Sequence, residues 1–315
     1  MPPVAEVFSM QSRSRRSVLA ALAGGGGLGV AGCLGGKDSV SVLAAGSLAV
    51  LVDDHLGERF ESETGVACHG EYYGTNAVMR MVTDGRKYPD VVVSADAELL
   101  RDRLHDTHTA WDVSFASNAI GIAYAPETRF GERLEAGDPW YEVAHDADDG
   151  DLAISDPDLD PLGYRAVHAF QLAEQEHEFD GFAEDVMDAV YREPEEPQLL
   201  AGVEAGNRAA AVVYRNMAAD HGLPFHPFPE AYDFSNPEYT DHYAEASYTT
   251  DGGYTATGRP IVYNATVLEN ADSPAAGHEF VRLLANADET LRENGFETDG
   301  FPITHGDVPA EVTDG

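Results

Sequence analysis

Leu152-Ala153-Ile154-Ser155-Asp156-Pro157-Asp158-Leu159-Asp160-Pro161-Leu162-Gly163-Tyr164-Arg165 holds a strand, a turn and the start of a helix in one stretch. The apolar run Leu152 to Ser155 reads as a strand. Asp160 before Pro161 is a common helix start, an N-cap acid followed by proline at the first helical position, and predicts a helix from about Leu162 to Glu176. The same strand-turn-helix pattern recurs upstream. Val40 to Ala45 is followed by Gly46-Ser47 and a helical face of Leu48, Leu51, Val52, Leu56 and Phe60. Val66 to Tyr73 is followed by Gly74-Thr75-Asn76 and a face of Val78, Met79 and Val82. Val91-Val92-Val93 suits a strand buried on both faces, with a helix over Ala97 to Leu104. Three such units in succession predict an α/β fold with a mainly parallel sheet.

Past Trp111 the pattern restarts, with strands at Ala119 to Tyr124 and Ala209 to Val213 and a polar acidic stretch from Glu127 to Gly150. A short helix around Asn216 to His221 ends at Gly222. The Pro- and aromatic-rich segment Pro224 to Tyr254 reads as a connector. Ile261 to Thr266 returns as a strand, and Ser273-Pro274 opens a helix facing inward through Phe280, Leu283 and Leu284. A chain of 315 residues with 43% hydrophobic content can build two such lobes.

Charge excludes one class of partner. The 56 Asp and Glu against 19 Lys and Arg give a formal net charge of -37, which is incompatible with an affinity for nucleic acid. Lys37 and Lys87 are the only lysines, and the acidic surface is of the salt-adapted, halophilic type. At the amino end, Arg15-Arg16 precedes a short Ala/Gly/Leu stretch that closes on Val30-Ala31-Gly32-Cys33. It is too short and Gly-rich to span a membrane and reads as an export signal over residues 1–33. The paired arginines resemble a twin-arginine (Tat) signal, and the residues before Cys33 resemble a lipobox, whose cysteine becomes the lipid-carrying first residue. Met1 and Met10 are both candidate starts. With Cys33 lipidated, Cys68 has no disulfide partner, so packing must hold the fold.

No G-x-S-x-G elbow, phosphate loop or zinc helix occurs, and carboxylate pairs of the glycosidase kind arise by chance at almost any spacing in so acidic a chain, so the chain is not expected to be an enzyme. His105 and His108 lie close together but lack the Cys or carboxylate partners that a transition-metal site would use, and both read as solvated surface. Asn264-Ala265-Thr266 is a glycosylation sequon inside an expected strand. What remains are the turns, where helix N-termini at the carboxyl ends of strands offer N–H donors and partial positive charge to an anion. Taken singly, Ser47 and Thr75 are equally good helix caps.

Taken in order, Ala44-Ala45-Gly46-Ser47-Leu48, Tyr73-Gly74-Thr75, Ser94-Ala95-Asp96, Ser155-Asp156-Pro157 through Gly163-Tyr164-Arg165, Val213-Tyr214-Arg215 and Gly258-Arg259-Pro260 resemble the archaeal tungstate/molybdate-binding proteins that feed ABC transporters. The resemblance implies a type II periplasmic-binding-protein fold, with residues 38–115 and 251–315 in lobe one, residues 116–250 in lobe two, and hinge closure on the ligand. It implies a monomeric lipoprotein on the outer face of the cell membrane, no cofactor, and an ABC permease and its ATPase as partners. The expected cargo is molybdate or tungstate. A binding protein for sulfate or phosphate is the alternative within the class, and an exported hydrolase or adhesion lipoprotein the alternative outside it.

Carried over residue by residue, the resemblance assigns the oxyanion oxygens to Ser47, Thr75 and Tyr214, and a carboxylate contact with the metal to Asp160. A second carboxylate, a glutamate just before the tyrosine, falls on Val213. With Asp160 alone, the expectation is a tetrahedral ligand, or one extra long contact from Asp160, rather than an octahedron. The acidic surface does not oppose dianion binding in brine, where the Debye length is about 3 Å at 1 M salt and local dipoles decide.

Overall fold

The computed structural model describes residues 39–313; Cys33 and the rest of the export segment lie outside the described residues. Two sheets organise the chain. The first has the order β13-β4-β12-β3-β1-β2 and draws on both ends of the sequence: β1 (Ser39–Ala45), β2 (Ala67–Tyr73), β3 (Val91–Ser94), β4 (Trp111–Ser117), β12 (Val262–Val267) and β13 (Ile303–Gly306). The second has the order β7-β6-β8-β5-β9, from β5 (Ile120–Tyr124), β6 (Leu152–Ser155), β7 (Tyr191–Glu193), β8 (Ala210–Tyr214) and β9 (Phe225–Pro227). A hairpin, β10 (Ser247–Thr249) with β11 (Thr255–Thr257), precedes the return to the first sheet.

The first sheet is parallel only across β2-β1-β3. β12 runs antiparallel to both β3 and β4, which departs from the expected mainly parallel sheet. The reason is topological: β12 enters from the second sheet, at the carboxyl end of β3, and can only run the opposite way. Residues 91–93 behave as their apolar run requires, Val91 and Val93 packing into one buried cluster and Val92 into another on the opposite face. The acidic stretch from Glu127 to Gly150 is not featureless. It carries two short helices, Arg129–Glu135 and Trp140–His145, which bury Phe130, Leu134, Trp140 and Val143.

In both sheets the helices leave from the carboxyl ends of the parallel strands, and those ends face one another. Gly46 after β1 meets Glu196 of the second half, and Gly74 after β2 lies against Leu159 and Asp160. Both glycines are there because the halves approach so closely. A Cβ on Gly74 would stand 2.5 Å from the Leu159 carbonyl oxygen, and one on Gly46 2.8 Å from the Glu196 carboxylate.

Candidate functional site

Ser47 sits in the tight turn Gly46–Leu48 directly after β1 and is 3% exposed. Its hydroxyl is 3.4 Å from that of Tyr263, and its carbonyl accepts a hydrogen bond from Asn216 Nδ2 at 2.7 Å. Asn118, at the crossover from β4 to β5, donates to Asn216 Oδ1 at 2.9 Å. Thr75 opens the helix Thr75–Thr83 and is fully buried. Its Oγ1 accepts the Ala95 N–H at 3.2 Å, so the hydroxyl proton is free to be donated elsewhere. Tyr214 ends β8, is fully buried, and accepts a short hydrogen bond from Arg165 Nη1, which likewise frees its own proton.

Asp160 precedes the helix Pro161–Glu176 in extended conformation, yet its side chain makes no capping bond. The carboxyl group is buried, and neither oxygen has a hydrogen-bond partner of good geometry among the described residues. Such a group is rare in a folded protein and calls for a reason. Burial pushes its pKa up; the Ser155 hydroxyl, Arg165 and the N–H groups of Thr75 and Leu162 recover part of that cost.

Val213 is the position to which the resemblance assigns a second carboxylate. Val213 is buried within β8, paired with Gly121, and contributes nothing polar. A second buried acid near these groups is Glu196. It is 1% exposed and accepts the Gly46 N–H at 2.8 Å and the Ser47 N–H at 3.1 Å. Burial, then the charge of Asp160, push its pKa well above the ordinary value, while those two N–H groups and the Ser47 hydroxyl act against the rise. Nothing in Glu193-Pro194-Glu195-Glu196-Pro197 marks one glutamate among 56 acidic residues; only the Pro197 helix start leading to Leu199-Leu200 hints that this acid turns inward.

Behind these groups lies a buried ionic network. Asp96 accepts the Tyr164 hydroxyl at 2.6 Å and the Leu99 N–H at 3.2 Å, and faces Arg259 at 3.3 Å and Arg165 at 3.5 Å. Burial opposes the Asp96 carboxylate, but Arg259, Arg165, the Tyr164 hydroxyl and the Leu99 N–H outweigh it and hold its pKa below the usual value. Arg165 also donates to the Ala95 carbonyl at 3.0 Å. The network therefore ties the turn after β3 to the helix after β6 and fixes Tyr214 from behind.

Ser47, Thr75, Asp160 and Tyr214, the residues that the resemblance assigns to the ligand, are all buried at facing strand ends, in company with Glu196. A recess of about 860 Å³ lies elsewhere, beside Arg101, Arg215, Glu297 and His305, and includes none of them. The sequon is not available in the fold. Asn264 is buried in β12, where its amide donates to Asp112 at 2.9 Å.

Two α/β halves joined by strand crossovers, with polar groups buried where their strand ends meet, define a two-lobed binding protein of the type II periplasmic fold. The periplasmic molybdate-binding protein of Azotobacter vinelandii superposes with a TM-score of 0.57 over 82% of this chain and 98% of its own, at 16% identity. The chain belongs to the family of bacterial extracellular solute-binding proteins, which it matches over residues 40–297. An uncharacterized solute-binding protein of Halobacterium salinarum is 50% identical over 89% of this chain and 91% of its own length. A putative ABC transporter molybdenum-binding protein of Haloferax volcanii is 38% identical over 94% and 96%. The protein is thus a solute-binding component and not an enzyme. Among the described residues no helix is long and apolar enough to cross a membrane.

Proposed function

We propose that this protein captures molybdate or tungstate as the binding component of an ABC importer and delivers it to a membrane permease driven by a cytoplasmic ATPase. The observation that carries the reading is the buried pair Asp160 and Glu196, two carboxyl groups set among N–H and O–H donors, Asp160 having no hydrogen-bond partner of good geometry among the described residues. Donors alone suit any tetrahedral oxyanion. Two carboxylates beside them repel sulfate or phosphate, whose central atoms do not accept further oxygen ligands. A hexavalent molybdenum or tungsten centre is hard, takes carboxylate oxygen, and expands from four to six ligands. The oxyanion oxygens would lie on the hydroxyls of Ser47, Thr75 and Tyr214 and on the turn N–H groups, with the carboxylates on the metal.

On this reading Val213 no longer limits coordination, and a six-coordinate metal replaces the tetrahedral ligand expected from the sequence. The groups are buried, so the lobes part about their crossovers to admit the ion and close on it. Anchoring of a monomer through a lipid on Cys33, after twin-arginine export into a saline exterior, completes the proposal. Titrations with molybdate, tungstate, sulfate and phosphate test it, followed by X-ray absorption on the bound metal. Saturable binding of the first two anions and a shell of six oxygens are expected. Preferential binding of sulfate or phosphate would overturn the cargo, and a shell of four the role of the carboxylates.

A further inference from the structure

The other end of the first sheet carries a second cluster of ligating side chains. β4 runs in the same direction as β3, so Asp112 near its start lies at the amino end, away from the turns that hold Ser47 and Thr75. His305 stands directly opposite Asp112 in the antiparallel β13-β4 pair, and His105 follows the helix Ala97–Leu104 as it returns to that end. One ligating atom from each of His105, Asp112 and His305 lies within 4.8 Å of the other two. The imidazole rings are 5.6 Å apart between centroids.

The carboxylate is oriented as a metal ligand is. Asp112 is fully buried, and an ionised carboxylate offers about four acceptor positions. Arg101 fills one on each oxygen, at 2.9 Å and 3.0 Å, and Asn264 fills a second on Oδ1 at 2.9 Å. The remaining position, on Oδ2, faces His105 Nε2 at 3.2 Å. That nitrogen is sealed from solvent, and its geometry makes no hydrogen bond to the carboxylate or to any other described group. A vacant lone pair and an unbonded ring nitrogen thus face each other, with an exposed second imidazole beside them.

We infer that His105, Asp112 and His305 form a site for a divalent transition metal ion of the zinc type, with water as the fourth ligand, that clamps the edge strand β13 to β4. Two imidazoles and one carboxylate suit Zn²⁺, Co²⁺ or Ni²⁺ and disfavour magnesium or calcium, which prefer all-oxygen shells. The Arg101 and Asn264 bonds are the outer contacts that fix the ligating oxygen. Tetrahedral bonds of about 2.0–2.1 Å put ligands about 3.4 Å apart, so the metal must draw the three inward. His305, exposed on a short edge strand, can make that movement and provides the entry path. Arg101 already neutralises Asp112, so binding should be of micromolar rather than nanomolar strength.

Titration of the untagged full chain with Co²⁺ tests the inference, because tetrahedral cobalt gives intense visible absorption. Saturable bands are expected, bleached by Zn²⁺, together with a rise in melting temperature. His305→Ala, at an exposed position that should leave the fold intact, should weaken cobalt binding at least tenfold, and His108→Ala should leave it unchanged. No saturable bands, or wild-type binding by His305→Ala, would overturn the site.

Discussion

Asp160 and Glu196 are both buried acids, and after burial itself the charge of Asp160 helps to push the Glu196 pKa up. Two such groups oppose folding whenever both are ionised. Asp160→Asn and Glu196→Gln should therefore each raise the melting temperature of the protein measured without added anion. If both acids bind the metal, each change should also weaken molybdate binding by about tenfold or more, a loss typical of disturbed metal shells. Calorimetric titration and thermal melts on the same preparations check both halves. Neutral affinity in both variants would mean that the carboxylates do not touch the ion.

The same pair sets a pH dependence. Both pKa values are raised in the folded state, so the native protein holds protons that the unfolded chain releases. That contribution to stability is complete below the ordinary carboxylate value and is lost as pH rises through the raised values. Asp96, held low, behaves oppositely: its contribution is present above the ordinary value and disappears only as pH falls through its own depressed pKa. Mild acidification from neutral pH should thus stabilise the wild type more than it stabilises Asp160→Asn. Melting curves from pH 8 to pH 5 decide it; parallel curves would contradict the assignment. Metal coordination needs the deprotonated acids, so anion binding should release protons and weaken over the same descent.

Ser47→Ala and Thr75→Ala should each cost about 1.5–3 kcal/mol of binding, the range for hydrogen bonds to charged groups. Thr75→Ala also removes the acceptor of the Ala95 N–H, so a modest loss of stability should accompany it. Ser47 lacks that second duty, since its hydroxyl accepts no backbone N–H among the described residues and lies instead beside Tyr263 and the Glu196 carboxylate. Isothermal titration separates binding from stability, and normal affinity in both variants would leave these residues no part in holding the anion.

The turns were legible in the sequence because strand, small residue and helix start are local signals. Ser47, Thr75 and Asp160 lie in such turns, whereas Tyr214 and the ligand roles of all four come only from the resemblance. Glu196 was not legible, because burial of one acid in an acidic chain depends on where a distant segment packs, and its partners Gly46 and Ser47 lie far upstream. β13 escaped for a similar reason: all four of its residues are exposed, so no apolar alternation announces it, and only pairing with β4 makes it a strand. The two helices of the acidic stretch are too short for a firm 3.6-residue period, although Phe130, Leu134, Trp140 and Val143 mark their inner faces.

Asp96→Asn should be the most damaging single change in this region. It removes the negative charge shared by Arg165 and Arg259 and leaves Arg165 buried without its counter-ion. Breaking a buried ion pair in this way costs about 3–5 kcal/mol. Chemical denaturation gives the number, and a loss under 1 kcal/mol would show that the Ala95 carbonyl and Tyr214 hydroxyl suffice for Arg165.

Gly74→Ala tests closure of the lobes without touching a polar group. Gly74 has φ -55 and ψ 139, a conformation that alanine adopts freely, so the change carries no backbone strain. The added methyl would instead meet the Leu159 carbonyl at 2.5 Å and the Asp160 Cβ at 2.7 Å, both across the junction of the two halves. The Ala77 N–H bond to the Leu159 carbonyl, 3.1 Å long, would have to lengthen to admit it. Parting of the lobes relieves the clash, so folding stability should change little while anion affinity falls at least about tenfold, chiefly through faster release. Small-angle scattering at saturating molybdate should find the variant more extended than the wild type. Wild-type affinity and dimensions would mean that the contact between Gly74 and Leu159 is not part of the closed, ligand-holding form.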